Sequence, residues 1–153
     1  MGYTINMLKS QHKLKWIALT FLFALASLFT MLIFTKHKTA KIKIGNTIFE
    51  AEISSTAAQK AKGLAGRTSM SENGAMLFLF NEYGNHGFWM AGMKIPIDIV
   101  WIRDNQVIGF TKNIAVTDKE IFYAPDLVNK VIEVAAGTVD KKGIGLGDAF
   151  TEL

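Results

Sequence analysis

The 153-residue chain contains no cysteine, two prolines and three histidines, and it has no acidic residue before Glu50. Without cysteine there are no disulfides, no thiol nucleophiles and no cysteine-ligated metals, a state compatible with either side of a membrane. Beyond residue 40 the only histidine is His86, so a zinc site would have to be built almost entirely from carboxylates. None cluster at ligand spacing, and no metal or cofactor is expected. A Ser-His-Asp arrangement would need that same histidine with Ser54, Ser55, Ser69 or Ser71, and no strand-turn-helix elbow surrounds any of them. There is no internal repeat and no low-complexity tract.

The missing acids in the first third make the charge uneven. Seven lysines precede Gly45, so residues 1–44 carry +7, while residues 45–153 carry −3. The basic character therefore belongs to a leader and not to a nucleic-acid-binding domain. Between Lys15 and Lys36 runs WIALTFLFALASLFTMLIF, residues 16–34, uncharged and with only Thr20, Ser27 and Thr30 as polar interruptions. As a helix it would be about 28 Å long, close to the roughly 30 Å of a bilayer's hydrocarbon core. The division expected is a basic segment over 1–15, a transmembrane anchor over 16–34, a connector over 35–40 and a globular domain over 41–153. Ala24-Leu25-Ala26 has the small-x-small form of a signal-peptidase site but lies inside the apolar run, so an uncleaved anchor is expected. Lysines flank both sides, and the positive-inside rule does not decide orientation. A short basic N-terminus before a single span has the form of a signal anchor, which would place the domain outside the cytoplasm.

In the domain, KIKI-GN-TIFEAEI reads as a hairpin with Gly45-Asn46 as a type II′ turn. Thr56 and Gln59 fit a capping box for a short helix over 57–62 that stops at Gly63. AMLFLF at 75–80 is apolar on both faces, as a central strand is. Residues 95–102 extend as a strand, Asp104-Asn105 turns it into VIGF at 107–110, and 111–127 read as an irregular excursion. NKVIEV at 129–134 alternates, Thr138 is placed to cap one helical turn ended by Gly143, and AFTEL closes the chain. GIGLGD at 143–148 has its third glycine one position too early for a dinucleotide fingerprint, and no strand precedes it. The expected fold is mostly β (α+β): a compact, mostly antiparallel domain, a small barrel or two packed sheets, with one or two short helices and no strand-helix-strand alternation.

One residue stands out. Alternation puts Ile95, Ile97, Ile99 and Trp101 on one face of their strand and Asp98, with Val100 and Ile102, on the other. A bare carboxylate on an apolar face costs several kcal/mol. Asp98 therefore accepts backbone N–H bonds, pairs with Arg67 or Lys94, or opens onto a pocket where it meets a ligand or a proton. Pro96, which cannot donate to a ladder, marks a rim there, and Trp89 and Met90 belong either to that rim or to the core. His86 in its glycine-rich loop reads as a surface residue.

GLAGR at 63–67, GAMLFLF at 74–80, FWMAGMKIPIDIVWI at 88–102, VIEVAAGT at 131–138 and GLGD at 145–148 occur in that order. Together they resemble the domain of unknown function 192 family over about residues 44–150. The resemblance implies a small mostly-β domain carried behind a signal sequence or membrane anchor, and it carries over no catalytic residues. Ala91-Gly92-Met93 departs from the family's usual motif, which has a basic residue followed by Asn-Thr; Lys94 is the nearest substitute. Arg67 and Asp98 are retained, and they read as a polar pair that fixes the loop carrying Trp89.

The leading expectation is a membrane-anchored, extracytoplasmic binding module with a site built from Arg67, Phe88, Trp89, Met90, Lys94 and Asp98. Aromatic rings beside a few polar groups suit a saccharide or peptide of the cell envelope. An acid-base enzyme using Asp98, with Glu82 or His86 as second group, is the first alternative. An interaction domain for another membrane protein is the second.

Overall fold

A computed structural model describes residues 15–27 and 38–153. Residues 15–27 form a helix, α1, and belong to a unit separate from the one that begins at His37. Among the described residues no helix is long and apolar enough to cross a membrane. The rest of the expected span, 28–34, lies outside the described residues.

The second unit is mostly β. It comprises β1 (Lys38–Ile44), β2 (Thr47–Ser54), α2 (Ala57–Lys62), β3 (Gly74–Gly84), β4 (Phe88–Trp89), β5 (Ile97–Arg103), β6 (Gln106–Ile114), β7 (Ile121–Phe122), β8 (Val128–Ala135), α3 (Thr138–Lys142) and β9 (Phe150–Glu152). Seven strands form one curled sheet in the order β6-β5-β8-β3-β2-β1-β9, and β4 and β7 form a small second sheet. The edges of the large sheet approach each other at one end, where Gln106 bridges Ala149 and Val107 N donates to Asp148 O at 3.0 Å. The result is a half-barrel.

The first hairpin has the expected turn: Gly45 takes φ +55°, and Asn46 is not among the residues of positive φ. A side chain at Gly45 would also collide with Asp148, since a Cβ there would lie 2.6 Å from Oδ2. Thr56 and Gln59 form the capping box of α2. One expectation is corrected: β2 and β3 run parallel, joined by α2 in a strand-helix-strand crossover. A parallel pair requires such a connection, and the six-residue helix between two strong strands supplies it. Residues 111–114, read as irregular, prolong β6, and the excursion that follows contains β7. Thr138 lies inside α3 and not at its cap, which is Gly137 with no side-chain bond.

Two apolar clusters result from strands buried on both faces. Ile42, Phe49, Leu77, Val100, Ile102, Ile132 and Val134 fill the concave side, with Val139 and Ile144 from α3 and the turn after it. On the other face lie Met76, Phe78, Ile97, Ile99, Trp101 and Val131, covered by Leu64, Phe88, Met90 and Ile95. Directly paired residues share a face. Glu52, Met76, Glu133 and Ile99 therefore form one row across β2, β3, β8 and β5, with Ser54, Phe78, Val131 and Trp101 as the next.

Candidate functional site

Asp98 is fully buried among the concave-side residues, and its carboxylate is used by the backbone. Oδ1 accepts from Asn113 N at 2.7 Å and Oδ2 from Val139 N at 3.0 Å. Asn113 has φ +57°, so the first bond fixes β6 where its backbone turns into the left-handed region. The second caps the start of α3, whose own N-cap glycine has no side chain to offer. Asp98 thus replaces a local cap from a different strand.

Arg67 is not its partner, which corrects the expected pair. The guanidinium makes two bonds to Glu52, Nη1 to Oε1 and Nη2 to Oε2, both at 2.5 Å. The bond to Glu52 holds Arg67 above its ordinary pKa against the opposing effect of burial, with smaller attractions from the charges of Glu52 and Glu133. Asp98 and Trp89 also do not share a surface, because β5 sends Asp98 to the concave side while the loop carrying Trp89 covers the other.

On that covered side the residues build a cavity of about 190 Å³. Its base is Glu133 on β8 and Phe78 on β3; its walls are Leu64, Phe88 and Phe80; its mouth is bounded by Lys60, Lys62, Trp89, Ala91 and Met93. Phe88 meets Phe78 edge-on at 4.9 Å and Trp101 at 5.5 Å, which fixes the aromatic wall from behind. His86 is half-buried and not at the surface as expected: its ring stacks on Phe80 at 3.5 Å and 9°. Gly84 makes room for it, since a Cβ there would lie 2.7 Å from the imidazole. Burial holds the His86 pKa below its ordinary value, against backbone interactions with Glu82 and Val128. The Lys60 ammonium lies 4.4 Å over the other aromatic partner, Phe80.

Of the six residues expected to form a site, Phe88 and Trp89 line this cavity, and Trp89 is half exposed. Met90 is buried in the covering cluster and lines a separate groove with Trp89 and residues 116–119, Lys94 is exposed, and Arg67 and Asp98 have the partners described. The residue sequence reasoning missed is Glu133. It is 4% exposed, and its Oε2 has no hydrogen-bond partner among the described residues. Gly63, at the end of α2, lies above it; a Cβ there would be 3.7 Å from Oε2. Burial pushes the Glu133 carboxyl up to about 8, although Arg67 pulls the other way. The signal was present in VIEVAA, a lone acid in an apolar strand, the same pattern that singled out Asp98.

Two solved structures resemble the domain. One, from Sinorhizobium meliloti 1021 and described as a candidate transcription regulator, has a TM-score of 0.75 at 23% identity, covering 77% of this chain and 96% of its own. The other, a protein of unknown function from Novosphingobium aromaticivorans DSM 12444, has a TM-score of 0.73 at 28% identity, covering 76% and 87%. The first likeness shows the fold alone. Comparison with curated proteins gives no match. The model of the DUF192 family, described as Uncharacterized ACR, matches residues 39–151.

Proposed function

The chain belongs to the DUF192 family, and on that premise we propose that it is a membrane-anchored module that binds a small ligand in the cavity above Glu133. The observation that carries the reading is the unpartnered, buried Oε2 at the base of a cavity with aromatic walls. A buried polar atom without a partner costs about 1–3 kcal/mol, and a ligand group that satisfies it recovers part of that cost. At about 190 Å³ the cavity is smaller than the roughly 300 Å³ that drug-sized ligands occupy. A saccharide or peptide of the envelope would enter by one compact group and leave its remainder against the exposed face of Trp89.

The anchor is the apolar run over 16–34; lysines on both sides leave the positive-inside rule undecided, and what supports a domain outside the cytoplasm is the signal-anchor form of a short N-terminus before a single span. Trp16, Phe21, Leu22 and Phe23 in α1 are all more than 60% exposed, an apolar surface suited to lipid.

The test is intrinsic fluorescence, since Trp89 lines the cavity. The full-length chain in detergent is titrated with a panel of small saccharides, dipeptides, organic acids and amines at millimolar concentration. A saturable change that is lost in Ala91→Phe, which fills the mouth from an exposed position, is the expected result. A panel without any saturable response, or a response that Ala91→Phe leaves intact, refutes the cavity as the site.

A further inference from the structure

Resting on that reading, we propose that the ligand group received by the cavity is a carboxylate on a small apolar body, held by the buried Glu133 and attracted by the lysines at the mouth. The charges around Glu133 favour this class over a cation. Each packed element contributes. The helix α2 brings Lys60 and Lys62 to the cavity, and Arg67 in the turn after α2 is bonded twice to Glu52 of β2. The β3–β4 connection brings His86. From β3, β4 and β5 the neighbours Met76, Phe78, Phe88 and Ile99 are apolar. Among the described residues Glu133 is thus the one acid lining the cavity, and Lys60, whose ammonium lies over Phe80, and Lys62 line it as well.

Arg67 is engaged by Glu52 and no cation among the described residues is bonded to Glu133 Oε2, so burial favours the neutral acid although the charge of Arg67 pulls the other way. A neutral carboxyl presents one O–H donor. The acceptor it holds most strongly is another group's carboxylate, since charge-assisted O–H···O⁻ bonds are about twice as strong as neutral ones. Lys60 and Lys62 at the mouth give the cavity a positive potential that draws the anion in, and the ligand's apolar body faces Phe80, Phe88 and Trp89. A cationic ligand would have to pass the same two lysines and displace the Glu133 proton.

The geometry predicts the pH dependence. Affinity for the carboxylate is level at neutral pH and declines as Glu133 loses its proton, by about tenfold between pH 6.5 and 9. The experiment is a ligand-observed NMR titration of the full-length chain in detergent with benzoate, benzylammonium and benzyl alcohol at both pH values. The expected result is benzoate binding that weakens about tenfold at pH 9 in the wild type and stays level in Glu133→Gln, whose amide donates at every pH.

Benzoate binding with no pH dependence in the wild type removes Glu133 from the contact and overturns the proposal without needing the variant. Binding of benzylammonium or benzyl alcohol in preference to benzoate overturns the carboxylate class while leaving the cavity as a binding site. Failure of all three probes overturns the proposal; the broader panel above then decides the cavity reading separately.

Discussion

Glu133→Gln keeps the shape of the side chain and removes its proton, so the two proteins should differ chiefly in how their stability follows pH. In the unfolded chain the group titrates near 4.5, and in the fold its pKa is pushed up to about 8. Between these values the folded state holds a proton that the unfolded state has lost. Stability therefore falls with rising pH, by about 1.4 kcal/mol per unit for one proton. Below about pH 4.5 both states are protonated and the penalty is absent; above about 8 both are ionised and the full penalty remains. From pH 5 to pH 8 the wild type should lose about 3.5 kcal/mol relative to Glu133→Gln, since titration is partial at both ends of that range. His86 acts with the opposite sign, because a depressed folded pKa costs stability as pH falls below 6.5. That contribution is common to both proteins and drops out of the difference.

The assay is urea unfolding at pH 5, 6.5 and 8, followed by the fluorescence of Trp101, which is buried and bonded to Thr111 at 3.1 Å. A wild-type-minus-variant difference that is flat across that range would refute the reasoning. Glu133 would then be ionised in the fold throughout, and the proton required of it in the cavity would not exist.

Asp98→Asn should cost about 3 kcal/mol in the same urea assay, because its amide nitrogen turns a donor toward the N–H of Asn113 or Val139 and leaves it unpaired; a loss under 1 kcal/mol would show that these bonds do not fasten β6 and α3. Orientation is tested with Asn105→Cys, an exposed turn position in a cysteine-free chain: labelling of intact cells by a membrane-impermeant maleimide is expected, and labelling only after lysis would put the domain in the cytoplasm.

The fold was legible wherever short-range chemistry decides it. The hairpin turn at Gly45-Asn46, the capping box at Thr56 and the Asp104-Asn105 turn depend on residues four or fewer apart. The parallel pairing of β2 with β3 was not, because the pairing is non-local and nothing in six helical residues states which strands they connect. The face assignment within β5 was also legible: period-two alternation places Asp98 opposite Ile97 and Ile99, as observed. Its partners were harder to find, since one bond comes from 15 residues away and the other from 41. The cavity was half legible. FWM drew attention to the covering loop, but NKVIEV was read only as an alternating strand, and its glutamate was assigned no role. A strand in the middle of the sheet has no wet face when a helix and a loop cover the far side, and their placement is tertiary information.

The order of strands also bears on how the chain is made. β1 acquires its outer neighbour only when residues 150–152 arrive, with Ile42 opposite Glu152 and Leu153 N donating to Lys41 O at 2.9 Å. Until then a nascent chain carries β1 with one bare edge, a template onto which a second chain could add a strand. Lys38, Lys41 and Lys43 are spaced along that strand, and a second copy of β1 aligning there would bring its own lysines against them, a like-charge arrangement that disfavours such pairing.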